Sequence, residues 1–154
     1  MTSKVFVSLR VRASPERAFE VFTQDIARWW APNPAFRTTP SRPGALDFEG
    51  GTRLIETLSD GKIFEIGRVT AWEPPHRLAF TWRQASFPPD LITSVEVTFE
   101  AVGDQTRVSV IHTGFDTVPA QNAARHGMSD AVLLGFLGKF WRGNLESLNK
   151  KISG

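Results

Sequence analysis

Three histidines, scattered carboxylates and no cysteine set the limits of the chemistry open to this chain. Without a thiol there is no disulfide, no sulfur nucleophile and no thiolate metal site. His76 follows Pro74-Pro75 in a turn and His126 stands beside Gly127, so both read as solvated loop residues. His112 differs. It lies in phase with Val108 and Val110, which aims it inward at the end of a strand. Two roles fit that place: a core imidazole hydrogen-bonded to nearby main chain, or a polar anchor that donates to a ligand carbonyl or takes a proton. The histidines share no helical or strand pairing, so no metal site is expected. No Gly-x-Ser-x-Gly elbow, phosphate-cradling loop or dinucleotide fingerprint occurs, so no catalytic residue and no cofactor is assigned.

Among the charged side chains, Glu96 and Glu100 alternate with Val95, Val97 and Phe99 and are expected in solvent. Glu56 is in phase with Leu54 and Leu58, and Arg68 with Phe64 and Ile66. Those phases set Glu56 and Arg68 either face to face inside, as a recognition pair, or on the outer face as a cross-strand ion pair. Tyrosine is absent, which removes phenolic handles for polar substrates. Aromatic rings are plentiful instead: five tryptophans and twelve phenylalanines, more than packing alone requires.

These residues need elements to hold them. Val5, Val7, Leu9 and Val11 alternate as a half-buried strand over 4–12. Ser14-Pro15-Glu16 then opens a short helix over 15–22, followed by a helical turn over 25–30 that Pro32 and Pro34 stop. The segment up to Gly44 reads as a loop. Strands follow over 45–49, 52–58 and 62–72, joined by turns at Gly50-Gly51 and Asp60-Gly61. Three more span 77–83, 93–101 and 106–112. One long helix closes the pattern over 129–151, with Leu133, Leu137, Phe136, Phe140, Trp141, Leu145 and Leu148 covering about half its circumference. So wide an apolar arc fits a helix wrapped by a curved sheet. No repeat or composition break divides the chain, and a single domain over 1–154 is expected.

That order resembles the helix-grip architecture of the START-like (SRPBCC) superfamily. ASPERAFEVF, RPGALDFEGG, GRVTAWEPPHRLAFTW and VSVIHTGF are similar to its branch named for the activator of heat-shock-protein-90 ATPase. Phe48-Glu49 and Phe136 depart from the residues common in that branch. The resemblance implies an α+β fold: a sheet of about seven antiparallel strands around the C-terminal helix, with a cavity between them for small apolar molecules. On that fold Trp30, Phe36, Phe64, Phe80, Trp82, Phe136 and Phe140 would line the cavity, and His112, Glu56 and Arg68 would supply its polar contacts. Trp29, following Ile26 at helical spacing, is expected to pack beneath its helix. Trp30 is expected at the cavity mouth, facing the loop over 32–44. The eponymous cochaperone also uses a separate N-terminal domain, for which this chain has no room, so the branch name is not taken as a function.

The balance of 18 basic and 16 acidic residues, net +2, gives no footprint for a nucleic-acid partner. There is no signal peptide and no apolar run long enough for membrane insertion, so a cytoplasmic protein is expected. The leading functional reading is non-enzymatic binding of a small apolar molecule, aromatic or lipid-like, by a chain that could form a homodimer. The alternatives are a cyclase- or dehydratase-type enzyme using His112 and Glu56 as acid and base, and a chaperone-associated protein–protein interaction module.

Overall fold

The computed structural model describes residues 4–31, 44–88, 90–119, 121–125 and 127–153. Its elements run β1 (Lys4–Val11), α1 (Pro15–Gln24), α2 (Ile26–Trp29), β2 (Ala45–Asp47), β3 (Arg53–Thr57), β4 (Ile63–Glu73), β5 (Arg77–Trp82), β6 (Thr93–Val102), β7 (Gln105–Thr113) and α3 (Asp130–Ser153). The strands form one antiparallel sheet in the order β1-β7-β6-β5-β4-β3-β2. It curls as a half-barrel with α3 against it.

Local chemistry explains the elements. Ser14 caps α1 by accepting the Arg17 amide at 3.2 Å, and Pro15 takes a first-turn position where an amide hydrogen has no helical use. At the other end, the Trp29 indole donates to the carbonyls of Val21 and Phe22 at 3.0 and 3.2 Å. The last-turn carbonyls of α1 are thereby satisfied by the helix that follows. Helix α3 buries Leu133, Leu137, Phe140, Trp141, Asn144, Leu145 and Leu148 along one stripe. Phe136 is rotated off that stripe and is 45% exposed, so its expected place in the cavity wall is corrected. Just before α3, the buried Arg125 donates to the carbonyls of Val118 and Met128 and pairs with Asp130 at 2.5 Å, tying the preceding turn to the helix start.

Two bulges curve the sheet and undo the strict alternation of β4. Leu54 pairs with Gly67 but Ile55 with Glu65, which leaves Ile66 as an extra residue. Val69 pairs with Phe80 and Ala71 with Ala79, leaving Thr70 extra. Each extra residue shifts the phase by one. Arg68 therefore faces solvent, 77% exposed, in contact with Glu65 at 3.5 Å. The inward pairing of Arg68 with Glu56 is corrected; the phase that Phe64 and Ile66 suggested does not survive the first bulge. Gly67 sits where the strands close up: a Cβ there would lie 1.7 Å from the Thr81 carbonyl oxygen. The Gly50-Gly51 turn is a 3-10 turn over Glu49–Gly51, with both glycines at positive φ.

Candidate functional site

The site residues gather where β5, β6 and β7 meet α2 and α3. Trp82 ends β5, and its alternation places it on the inner face with Leu78 and Phe80. Phe140 and Trp141 rise from α3, and Trp30 arrives from the end of α2. The four rings contact one another directly. The Trp30 centroid lies 5.7 Å from Trp82, 5.6 Å from Phe140 and 5.6 Å from Trp141, mostly in edge-on geometry favoured by aromatic quadrupoles. Trp82 and Trp141 are fully buried, whereas Trp30 is only half-buried.

Two polar side chains of α3 fix Trp30 in this junction. Asn144 accepts the Ala31 amide at 2.8 Å and donates to the Phe140 carbonyl at 3.2 Å, and Ser147 donates to the Trp29 carbonyl. Trp29 turns the other way, is only 1% exposed, and meets Phe22 in a tilted contact at 4.8 Å. The adjacent tryptophans therefore serve different packing layers, with Trp29 under α1 and Trp30 against α3.

His112 lies beside this cluster in a closed relay. The Trp141 indole donates to His112 Nδ1 at 3.0 Å; an indole can only donate, so Nδ1 is the acceptor and the ring proton resides on Nε2. Nε2 then donates to Thr93 Oγ1 at 2.8 Å, and Thr93 donates to the Trp82 carbonyl at 2.9 Å. Both ring nitrogens are thus occupied. Burial pushes the imidazole down to about 3 from its ordinary 6.5, which keeps it neutral. Of its two expected roles, the geometry matches the hydrogen-bonded core imidazole, with a threonine standing between the ring and the main chain. An anchor or proton acceptor for a ligand would need a nitrogen that is already in use.

Glu56 is only 2% exposed and accepts the Gly44 amide at 2.7 Å. It pairs in register with Phe64, which is half-buried, and with Leu46 on its other side. Phe80 is 2% exposed and meets Phe48 edge-on at 5.4 Å. Phe36 and His126 lie outside the described residues, as does the loop over 32–43 that Trp30 was expected to face. His76 is exposed in its turn. A separate groove of about 310 Å³ runs between α1 and the Pro74-Pro75 turn, lined by Phe19, Trp72, Glu16 and Glu20. The strand register puts it at the opposite end of the sheet from Trp82.

Thr93, Asn144 and Trp141 were not singled out as site residues by sequence, and two of them carried a signal. Thr93 is in phase with Val95, Val97 and Phe99, and Asn144 with Leu137, Trp141 and Leu148. A polar residue in an apolar register marks a buried hydrogen-bonding group.

A seven-stranded antiparallel sheet curled over a C-terminal helix, with two short helices after the first strand, is the helix-grip fold of the START-like proteins. Residues 12–133 match the family described as Activator of Hsp90 ATPase homolog 1-like protein, and the chain belongs to that family. Among solved structures, a Mesorhizobium loti protein is similar at 23% identity and a TM-score of 0.64, covering 98% of this chain and 97% of that one. An HSP90 activator from Plasmodium falciparum matches at 17% identity and a TM-score of 0.66, over 97% and 96%. An Aha1 from Colwellia psychrerythraea, described as a dimer, matches at 18% and 0.63, over 96% and 93%. No curated protein matches the chain significantly.

Proposed function

We propose that this chain is a non-enzymatic, single-domain cytoplasmic protein that holds a small apolar molecule, aromatic or lipid-like, between its sheet and α3. The observation that carries the reading is the junction of Trp30, Trp82, Phe140 and Trp141. Rings from three separate elements meet there, and the most exposed of them, Trp30, follows directly on the short helix α2. Rings on independent elements can part around a guest without breaking backbone pairing, and aromatic walls with few polar groups suit apolar ligands. No described helix is long and apolar enough to cross a membrane. The cyclase or dehydratase alternative asked His112 to move a proton, and its closed relay argues against that. For the interaction alternative, the favouring observation is Phe6, 59% exposed on the edge strand β1, together with the dimer described for the Colwellia relative; a homodimer is part of the proposal on that ground. The test is native mass spectrometry of protein purified from its own host. A retained small molecule is expected. A clean apo mass, with no response to a panel of apolar ligands, overturns the reading.

A further inference from the structure

Arg83 stands apart from the other arginines. Every other described arginine that is buried or half-buried has a carboxylate: Arg53 meets Glu49 and Glu65, Arg77 meets Glu96 and Glu73, Arg107 meets Glu100, and Arg125 meets Asp130. Arg83 is half-buried and takes part in no ion pair among the described residues. Its guanidinium lies over the Phe64 ring, 5.7 Å from the centroid, and makes one long hydrogen bond, to the Phe87 carbonyl at 3.4 Å. Its Nε is fully buried with no acceptor. A guanidinium offers five donors in a planar fork, and a buried N–H left unpaired is costly.

Its location gives that orphan a use. Arg83 follows Trp82 directly, and its own amide donates to the Ile66 carbonyl at 2.9 Å. Phe87, which supplies the long hydrogen bond, is buried and meets Phe115 edge-on; Phe115 in turn meets His112. The guanidinium thus lies over the Phe64 ring and reaches the Phe87 main chain, at the end of the sheet where Trp82, Thr93 and His112 also lie. Charge, fork geometry and aromatic surroundings together describe a receptor for one planar anion attached to an apolar body.

We propose that Arg83 binds the carboxylate of an apolar carboxylic acid, either an arylalkanoic or a fatty acid, whose hydrocarbon part is held by the aromatic junction. This rests on the binding reading above and names the ligand class for it. The carboxylate oxygens accept from Nε and a terminal nitrogen of Arg83, supplying the partner that the other half-buried arginines find within the chain.

The test uses isothermal titration of the full chain with two matched pairs of probes: 2-naphthylacetate against 2-naphthylacetamide, and decanoate against decanamide. Each acid is expected to bind about tenfold more tightly than its amide at neutral pH. In Arg83→Met that preference disappears while the amide affinities stay; in Arg83→Lys, which keeps the charge but loses the fork, it shrinks. Thermal melts of both variants without ligand verify that they fold, and Arg83→Met is expected to be no less stable than the parent, because an unpaired cation has been removed. Equal binding of acid and amide by the parent, or a preference that survives Arg83→Met, overturns this inference and leaves the apolar-binding reading standing. Absence of binding by all four probes overturns both.

Discussion

His112 is the residue on which burial, hydrogen bonding and charge bear together. With both nitrogens engaged and its protonation pushed down to about 3, it enters the folded state as a neutral ring. The unfolded chain takes up this proton near 6.5, before the folded one does, so falling pH favours unfolding. The stability held by His112 is complete above 6.5 and is lost progressively as pH falls from 6.5 towards 3. In that window the loss is up to about 1.4 kcal/mol per pH unit for one proton. Urea unfolding at about pH 7.5 and about pH 5.5 reads the slope directly. His112→Gln should lower stability at the higher pH and flatten the slope; an unchanged slope in the variant would assign the proton to another group.

At the scale of elements, α3 does more than present an apolar stripe, because it also holds α2 by polar groups. Asn144 is only 1% exposed and bonds Ala31, whereas the half-buried Asn149 on the same helix accepts the Arg12 amide at 3.2 Å. The two asparagines make similar bonds in different surroundings. Asn144→Ala leaves a Trp30-adjacent amide without its acceptor and should cost about 1–3 kcal/mol. Asn149→Ala should stay within about 0.5 kcal/mol, since water replaces the acceptor. Denaturant midpoints of the two variants decide it; equal losses would mean the α2–α3 clamp carries no special weight. The same scale shows what the sequence made legible. Element order and almost every boundary followed from alternation, caps and turn residues, since those signals are local. Arg68 and Phe136 did not follow. The Ile66 bulge depends on how closely β4 approaches its neighbours, which only the Gly67–Thr81 contact reveals. Phe136 belongs to a wide apolar arc of which only the side carrying Leu133, Leu137, Phe140 and Trp141 is buried. The relay at His112 was half legible: the inward phase could be read, but not that Trp141 and Thr93 would close both sides of the ring.

For the whole molecule, a junction that fills the fold and one that lines a pocket differ in what a ligand must move. In the structure the rings touch, so a ligand must displace one of them, and Trp30 is the ring with the least burial and the shortest supporting helix. Its removal tests the whole arrangement, because Trp30 bridges α2, the sheet through Trp82, and α3 through Phe140 and Trp141. Trp30→Ala should cost about 2 kcal/mol, less than the 3–5 typical of fully buried tryptophans, because one side of the ring already meets solvent. A ligand present at about 100 times its dissociation constant adds about 2.7 kcal/mol to the stability of any protein that binds it only when folded. With naphthalene as the probe, both parent and variant should be stabilised, and the variant should bind more tightly because no indole has to move aside. Stabilisation of the variant alone would mean that the probe merely refills an engineered hole, as apolar cavities do. The rings of the parent would then be core, and the helix-grip would close on its own side chains rather than on a guest.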